Sequence, residues 1–528
     1  MASETDKKKA PPTTDVTSLP EIAIVEESAD ATLDLLEKYG HTVEPATAAQ
    51  LKRVRYKLYS SLLPLLLLIN VWLFIDKATL SYSALLGIME DTGLTDTEYN
   101  NLSTIFYTGY IVAQLPGHYI FQRISLSKFV SGSIFLWSVL LFLHCTASSY
   151  GGLIPLRFFL GVVEATLVPA MEVTMAMFFT PQEYTKIQPI FWASCMGCPL
   201  PAGFIAYGLL FAKNTIAPWK LFMIVTGSVS FLLAIFSFFY FPDNPAATRF
   251  LTIEERVWVI RKVHESTKSS IEQKKFKKSQ ALEALRDPIS WLFLLGAFTL
   301  MIANNLQFQQ SLIFLKMGVG NLGSTLVSAA GGGFSIVVCI TATILLRLIP
   351  NKAGYWGALW CMPAVAGGIG MVALDWDNRI GLLACLLLAG NTFGITYIIM
   401  LSWASSSSAG YTKKLMRNVF FMIGYGVSNI ISPQIWVAAD APRYYGSWIA
   451  QIVVSWIGTP TILLIVRFIL KRRNIQRKAW IAEQEALGHD GHGYVERLDE
   501  NSQVVKTQVD VSLLDLTNLE NKYFLYPL

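Results

Sequence analysis

Long apolar stretches recur along the chain and are separated by short polar segments. A helix of about 20 residues rises ~30 Å and so crosses the hydrocarbon layer of a bilayer. We identify twelve such stretches and number them as spans 1 to 12. They lie at residues 60–88, 101–121, 128–147, 152–179, 188–211, 219–241, 289–315, 322–349, 354–373, 379–403, 415–438 and 446–470. The pattern predicts an all-α membrane protein with twelve transmembrane helices.

The composition agrees with this prediction. Hydrophobic residues make up 53% of the chain and charged residues 15%, and the mean hydropathy is +0.44. Soluble domains carry ~25% charged residues, so an ordinary soluble protein is excluded. The net charge of +5 is small and gives no case for nucleic-acid binding. All six cysteines lie within apolar stretches, where we expect them to pack as free thiols rather than form disulfides or a metal site.

The placement of lysine and arginine supports both the number of spans and their orientation. With the N-terminus in the cytosol, the loops on the cytosolic side carry 27 of these residues and the opposite loops carry five. Positive residues accumulate on the cytosolic side of membrane proteins. We therefore expect both termini in the cytosol. The polar residues 1–50 contain no apolar leader segment, so insertion is expected to begin with span 1.

The spans and loops divide the chain into five regions. We predict a disordered cytosolic tail at 1–50, a six-helix half at 51–241, a cytosolic loop at 242–288, a second six-helix half at 289–470, and a cytosolic tail at 471–528. Beyond about residue 490 the composition is polar, and we expect no fixed structure there.

Two charged residues interrupt span 4. Arg157 and Glu164 are seven residues apart, nearly two helical turns, so they lie on one face of a helix. A charge that faces lipid costs ~2.5–3.5 kcal/mol, and this face is therefore predicted to line a transport path. The small residues Gly161 and Ala165 would let another helix approach closely. The alternative is that Arg157 reaches out from a helix end and Glu164 is a packed, hydrogen-bonded carboxylate.

Further polar residues lie in spans 1, 2 and 7. In span 1, Asp76 is a second candidate proton carrier, or else a residue at the outer end that faces water; its neighbour Lys77 points about 100° away. In span 2, Gln114 and His118 share one helix face. Span 7 contains a group of amides, Asn304, Asn305, Gln307, Gln309 and Gln310. Because amides are costly in lipid, we expect this group to line a cavity or to pair across helices.

Motifs for enzymatic chemistry are absent from the sequence. We find no catalytic triad, no metal-ligand spacing and no nucleotide fingerprint. We therefore expect neither enzymatic activity nor a cofactor or metal. An ion channel is disfavoured as well, because two six-helix halves provide no symmetric filter.

Longer segments resemble a known family. RFFLGVVEA at 157–165 is similar to the span-4 motif of the fungal anion:cation symporters, the allantoate permease group of the major facilitator superfamily. GYTKKLMRNVFFMIGYGVSNIISPQIW at 410–436 and DAPRYYG at 440–446 resemble the span-11 signature of that group. The resemblance covers about 50–475. It implies uptake of a small zwitterionic or anionic solute together with protons, although Gln122 replaces the acidic residue of the usual motif after span 2.

The resemblance also suggests a substrate. FIDKATLSY at 74–82 and ANNLQFQQ at 303–310 are similar to cysteine-transporting members of the family and imply L-cysteine. Allantoate, nicotinate, pantothenate or a thiamine-related compound are alternatives within the family. A sensor that binds a nutrient without transporting it is an alternative from another class.

These observations lead to a set of expected roles. Arg157 would hold the substrate carboxylate, and Glu164, with Asp76, would carry the coupling proton. The amides would orient the polar end of the substrate, namely Asn304, Asn305, Gln309 and Gln114. We expect the substrate, protons and the lipid bilayer as partners, a monomer, and the plasma membrane, with the endoplasmic reticulum or another internal membrane as the alternative.

Overall fold

Helices make up nearly all of the chain that the structure describes. The structure is a computed structural model and describes residues 35, 38–39, 42–212, 215–267, 277–486, 492–498, 504–510 and 517–528. Residues 1–34, most of the predicted disordered tail, lie outside the described residues. In lipid, backbone N–H and C=O groups can pair only within the protein, which is why the apolar stretches form helices.

The helices begin and end as follows. The N-terminal half contains α1 (Ala48–Lys77), α2 (Thr79–Leu85), α3 (Ile88–Thr92), α4 (Asp96–Arg123), α5 (Leu126–His144), α6 (Tyr150–Glu164), α7 (Leu167–Phe178), α8 (Pro181–Met196), α9 (Pro199–Leu209) and α10 (Pro218–Tyr240). The central loop contains α11 (Ile253–Thr267) and α12 (Lys278–Arg286). The C-terminal half contains α13 (Pro288–Met301), α14 (Leu306–Lys316), α15 (Asn321–Leu348), α16 (Ala353–Ala373), α17 (Arg379–Asn391), α18 (Phe393–Ser406), α19 (Tyr411–Ile431), α20 (Tyr445–Ala450) and α21 (Thr459–Ala486).

Short elements complete the fold. Two 3₁₀ turns, Ser432–Ile435 and Ala438–Asp440, follow α19, and a π-helix at Gln451–Gly458 joins α20 to α21. In the C-terminal tail, β1 (His492–Leu498) pairs antiparallel with β2 (Val504–Asp510), with His492 opposite Asp510.

The twelve predicted spans are all helical. Within the described residues, ten helical segments are long and apolar enough to cross a membrane, and they correspond to spans 1, 3–10 and 12. α4 and α19 supply spans 2 and 11. They are more polar than the others because they carry side chains such as Asn100 and Arg417. We call the side on which α1 begins and α21 ends the inner side, and the opposite side the outer side.

Spans 1, 4, 7 and 10, the first of each three consecutive spans, are each interrupted near the middle. Span 1 breaks at Ala78, span 4 at Ala165–Thr166, span 7 at Ile302–Asn305 and span 10 at Thr392. Backbone that leaves the helix at membrane depth is tolerated where it lies inside the protein or lines a cavity. The breaks therefore mark the interior of the bundle as the place for a polar site.

Glycines bring neighbouring spans into backbone contact. A Cβ on Gly161 of span 4 would collide with the carbonyl oxygen of Phe106, and one on Gly109 of span 2 would collide with the carbonyl oxygen of Phe158. Only glycine allows this mutual approach. The predicted close packing at Gly161 is thus present, and its partner is span 2.

A large apolar core supports each half. The first is built mainly from residues of the N-terminal half, including Leu66, Phe191 and Trp219. The second is built from the C-terminal half, including Phe293 and Trp456. Residues from span 7 also reach the first core, so the halves are joined by packing as well as by polar contacts.

The C-terminal tail is more ordered than the sequence suggested. Residues 517–528 lie against the inner ends of the C-terminal half, and Thr517, Asn518 and Tyr526 are buried there. The expectation of no fixed structure beyond about residue 490 was therefore wrong for this segment. The expectation rested on the polar composition of the tail, which gives no information on backbone and aromatic contacts to distant parts of the chain.

Candidate functional site

The two adjacent charged residues of span 1, Asp76 and Lys77, lie in different surroundings. Asp76 is fully buried. Its carboxylate accepts hydrogen bonds from the indole N–H of Trp137 and, at 2.8 Å, from the hydroxyl of Ser230. Trp137 and Ser230 belong to spans 3 and 6, so Asp76 faces the interior of the N-terminal half. The alternative in which Asp76 faces water at the outer end is excluded.

Lys77 points to the middle of the bundle instead. Its ammonium group lies over four aromatic rings at 5.0–5.6 Å from their centres, those of Phe74, Phe106, Tyr107 and Tyr110. Among the described residues, no carboxylate lies within ion-pair distance of it. Cation–π contacts of this kind stabilise a charge away from bulk water. No role for Lys77 was predicted from the sequence, although a lysine within an apolar stretch itself indicates a functional position.

Arg157 is buried in the middle of α6, with 2% of its surface exposed. One guanidinium nitrogen donates to the hydroxyl of Thr79 at 3.5 Å, and the Nε–H has no partner within the described part of the chain. The position excludes a side chain that reaches out from the helix end. Unused guanidinium donors can bind a carboxylate through two parallel hydrogen bonds.

Glu164 ends α6 at the break in span 4 and is also 2% exposed. Neither of its carboxylate oxygens has a hydrogen-bond partner among the described residues. Three charged residues interact with it electrostatically, namely Lys77, Asp76 and Arg157. It is therefore not a hydrogen-bonded packing carboxylate. A buried carboxyl group without donors and beside cations is suited to gaining and losing a proton.

The two cations, Lys77 and Arg157, line the same crevice. It is lined by side chains from spans 1, 2, 4 and 7, namely Lys77, Leu80, Leu102, Ser103, Phe106, Arg157 and Phe308. The walls are apolar except for the charges and one hydroxyl. Such a site favours a small solute that carries a carboxylate.

The amides of span 7 pair across helices. Asn304 donates to the side-chain oxygen of Asn429 at 2.6 Å and to the hydroxyl of Tyr107 at 3.1 Å. Asn305 accepts from Ser103 at 3.2 Å. Of the two placements that the sequence left open, a cavity lining or pairing across helices, these contacts correspond to the second.

Gln309 extends this pairing, since its amide donates to Asn100 of span 2. Together these contacts form what we call the outer seal, a group of polar contacts between the two halves on the outer side. Its members are Asn100–Gln309, Ser103–Asn305, Tyr107–Asn304, Ser81–Ser311 at 2.7 Å, Thr104–Ile430 at 3.2 Å and Asp96–Lys316 at 2.6 Å. The crevice is thus closed toward the outer side in this conformation.

Gln114 lies at the break in span 4. Its side-chain amide donates to the carbonyl oxygen of Ala165 at 3.1 Å. That carbonyl belongs to the interrupted part of the helix, so Gln114 supplies a donor where the regular helical bond is lost. The side chain of His118 lies outside the described residues.

The arrangement combines three chemical capacities. Arg157 and Lys77 can bind an anion, Glu164 can exchange a proton, and the broken spans provide points at which the two halves can rearrange. Of the predicted site residues, Arg157 and Glu164 come together with Lys77. Asp76 and the span-7 amides are held in other contacts.

Comparison with known proteins identifies the fold and the family. The family model described as Major Facilitator Superfamily matches residues 66–433. An uncharacterized transporter of Schizosaccharomyces pombe is 54% identical over 489 residues, which cover 92% of this chain and 86% of that protein. The high affinity cysteine transporter of Saccharomyces cerevisiae is 45% identical over 525 residues, which cover 97% of this chain and 98% of that protein.

A solved structure shows the same fold at low sequence identity. The crystal structure of a D-xylose-proton symporter is similar with a TM-score of 0.58 and 12% identity, covering 76% of this chain and 96% of that one. The helical architecture, the family model and the relatives agree, and they confirm the resemblance found in the sequence. The chain is a multi-pass membrane transporter that belongs to the major facilitator superfamily.

Proposed function

We propose that the protein is a proton-coupled symporter that imports a small zwitterionic or anionic solute, and that this solute is L-cysteine. The substrate proposal is supported by the yeast relative, which is named a high affinity cysteine transporter and matches nearly the full length of both chains at 45% identity. The charges of the crevice support the substrate class, because its lining includes two cations, Lys77 and Arg157, that can bind a carboxylate.

One observation carries the proposal of proton coupling. Glu164 is buried without a hydrogen-bond partner in the described part of the chain, and Lys77 and Arg157 are the cations that act on it. A substrate carboxylate that binds these cations draws their positive charge away from Glu164. The neutral, protonated form of Glu164 is then favoured, so substrate and proton bind together by linkage.

The remaining site residues receive roles in the same cycle. We assign the substrate carboxylate to Arg157, assisted by Lys77. Asn304, Asn305 and Gln309 orient the polar end of the substrate once the outer seal opens and releases them. Gln114, which lies at the break in span 4, assists in this role. Asp76 is a second proton site, distinguished from Glu164 by its hydrogen bonds to Trp137 and Ser230.

We further propose that transport proceeds by alternating access. The two halves, 51–241 and 289–470, rock about the crevice, and the broken spans adjust at their interruptions. The excess of lysine and arginine on the inner side supports cytosolic termini. We place the carrier in the plasma membrane as a monomer, which suits uptake from the medium.

Uptake of labelled L-cysteine tests the proposal. A yeast strain without cysteine carriers of its own would express the protein, and uptake would be measured at about pH 5 and about pH 7.5, with and without a protonophore. Uptake that depends on the gene, rises at acid pH and falls with the protonophore is the expected result. The Arg157→Met variant, checked for equal surface expression, serves as the inactive control.

Two other results would change the proposed substrate or the proposed transport function. Competition by allantoate, nicotinate, pantothenate or a thiamine-related compound, stronger than by unlabelled cysteine, would assign a different substrate within the family. Binding of cysteine to membrane vesicles without any accumulation would contradict transport and favour a nutrient sensor.

A further inference from the structure

Residues 517–528 form a compact segment on the inner side of the C-terminal half. Asn518 and Thr517 are fully buried and Tyr526 is 3% exposed. We call residues 517–528 the strap. A polar tail gains such burial only when the surface beneath it supplies matching partners.

Tyr526 is the central anchor of the strap. The side chain of Asn474 donates to the carbonyl oxygen of Tyr526 at 2.8 Å and accepts from its N–H at 2.9 Å. The ring of Tyr526 lies 4.5 Å from the guanidinium of Arg477 and 5.9 Å from that of Arg473. Its hydroxyl accepts from Asn518 at 2.6 Å. Both the backbone and the side chain of this tyrosine are therefore recognised.

The last residues of the strap reach two other spans. The indole N–H of Trp403, near the inner end of span 10, donates to the carbonyl oxygen of Pro527 at 2.8 Å. The N–H of Ala353, which begins α16, donates to the carbonyl oxygen of Leu528 at 2.8 Å. The first N–H groups of a helix have no partner within the helix, and the strap supplies one. Spans 9, 10 and 12 are thus tied together.

The strap also joins a buried charge cluster. Arg473, which faces Tyr526, pairs with Asp287 at 3.1 Å, and Asp287 pairs with Arg417 at 2.7 Å. Asp287 precedes span 7 as the N-cap of α13, and Arg417 lies in span 11. The inner ends of spans 7, 9, 10, 11 and 12 therefore form one connected layer that includes the strap.

One member of this layer stands at the boundary between the halves. α18, the inner part of span 10, begins after the break at Thr392, and its Tyr397 meets Trp192 of span 5 with ring centres 6.2 Å apart. Opening of the outer seal requires the inner ends of the two halves to move relative to each other. Any shift of α18 relative to spans 9 and 12 must break the contacts of Trp403, Ala353 or Asn474 with the strap.

From these contacts we infer that the inner face of the C-terminal half is a peptide-docking surface for the strap, and that docking acts as a brake on the transport cycle. The docking itself stands on the contacts alone, whereas the brake rests on the transport function proposed above. When the strap leaves its surface, α18 bends more freely at Thr392 and the maximal transport rate rises. The crevice is formed by other residues, so the apparent KM for substrate is unchanged.

Docking is tested by peptide binding to the folded full chain. A protease site introduced at 511–516 allows the strap to be cut and washed away after purification. A fluorescent synthetic peptide of residues 517–528 should then bind, and the peptide with Tyr526→Ala should bind at least about tenfold more weakly, since it loses a buried ring and two cation–π contacts. Leu525→Ala in the peptide is the matched control, because Leu525 is exposed.

The carrier side of the contact is tested by Asn474→Ala, which should weaken binding of the unaltered peptide by a similar factor. Equal binding of the Tyr526→Ala and Leu525→Ala peptides, or unchanged binding to the Asn474→Ala carrier, would overturn the docking surface.

The brake is tested in proteoliposomes. Removal of the strap should raise the maximal rate of uptake at least about twofold at unchanged KM. The synthetic peptide of residues 517–528, enclosed in the lumen of the proteoliposomes, should restore the original rate. An unchanged or lower rate in a carrier that still binds the peptide would overturn the brake. If the intact chain shows no uptake but the carrier still binds the Tyr526→Ala peptide more weakly than the Leu525→Ala peptide, the proposed transport function is contradicted and the docking surface is not.

Discussion

Asp96 and Lys316 form an ion pair across the outer mouth of the protein, with 2.6 Å between Oδ2 and Nζ. Asp96 begins α4 in one half, and Lys316 ends α14 in the other. The hydroxyl of Tyr444 contacts the same lysine. Because the partners belong to different halves, this pair must separate whenever the crevice opens outward.

We predict that Asp96→Asn increases the population of the outward-open state. The pair is about a quarter exposed and is worth ~0.2–1 kcal/mol, which corresponds to a shift of up to about fivefold. The rate at which a membrane-impermeant maleimide alkylates Leu102→Cys, in the wall of the crevice, should rise accordingly. Asp91→Asn is the matched control, because Asp91 pairs with Lys220 within one half at 3.5 Å. Equal rates in the two variants would contradict the role of the pair in the outer seal.

We predict that Gly161→Ala destabilises the N-terminal half. Its Cβ would collide with the carbonyl oxygen of Phe106, and overpacking of this kind costs ~1–3 kcal/mol. The melting temperature of the detergent-solubilised protein should fall. Gly151→Ala, on the same helix but with open space at the Cβ position, should leave it unchanged. A similar effect of both substitutions would contradict the close approach of spans 2 and 4.

We predict that Arg157→Lys loses most uptake although it keeps the positive charge. An ammonium group cannot form the two parallel hydrogen bonds that a guanidinium offers to a carboxylate. The loss of one such bond in a buried site is worth ~1.5–3 kcal/mol, and the apparent KM for cysteine should rise by at least about tenfold. Concentration-dependent uptake measures this. An unchanged KM would show that Arg157 does not hold the substrate carboxylate.

We predict that Asp287→Asn destabilises the C-terminal half over a defined pH range. Burial raises the pKa of Asp287, but Arg417, Arg473 and Lys413 outweigh it and bring the pKa below its ordinary value. The stabilisation is therefore present above the unfolded pKa of ~3.9 and is lost as pH falls through the lower folded pKa.

Removing the carboxylate leaves buried cations without their partner, which costs ~3 kcal/mol. Melting temperatures of Asp287→Asn should lie below those of the unaltered protein by a constant amount between about pH 5 and 8, and the difference should shrink only below about pH 4. Asp377→Asn, on an exposed loop, is the control. A difference that changes between about pH 5 and 7 would contradict the assignment.

Much of the fold and part of the candidate site could be predicted from the sequence. Hydrophobic stretches and the positions of lysine and arginine predicted twelve spans, because both patterns reflect the bilayer directly. The spacing of Arg157 and Glu164 placed both on an inward face, since a charge in lipid is costly wherever it occurs. Spans 2 and 11 were found despite their polar residues, because their lengths and flanking loops fit the alternation.

Other features depend on contacts that no local pattern records. Asp76 and Lys77 differ by one position, and only the packing of Trp137 and Ser230 decides which of them faces the crevice. The sequence left open whether the amides of span 7 line a cavity or pair across helices, because their partners are distant residues such as Asn100 and Asn429. The strap was missed because its anchors, Asn474 and Trp403, lie far from it in the chain.

Proton coupling through Glu164 is tested most directly with the Glu164→Gln variant in proteoliposomes, by comparing accumulation of cysteine with exchange of cysteine. Glutamine keeps the shape of the side chain but cannot exchange a proton. If Glu164 carries the coupling proton, a pH gradient no longer drives accumulation of cysteine by this variant, whereas exchange of labelled for unlabelled cysteine continues and loses its pH dependence. Asp76→Asn, measured in parallel, shows whether the second carboxylate shares the role. Accumulation by Glu164→Gln with the pH dependence of the unaltered protein would contradict Glu164 as the site of proton coupling.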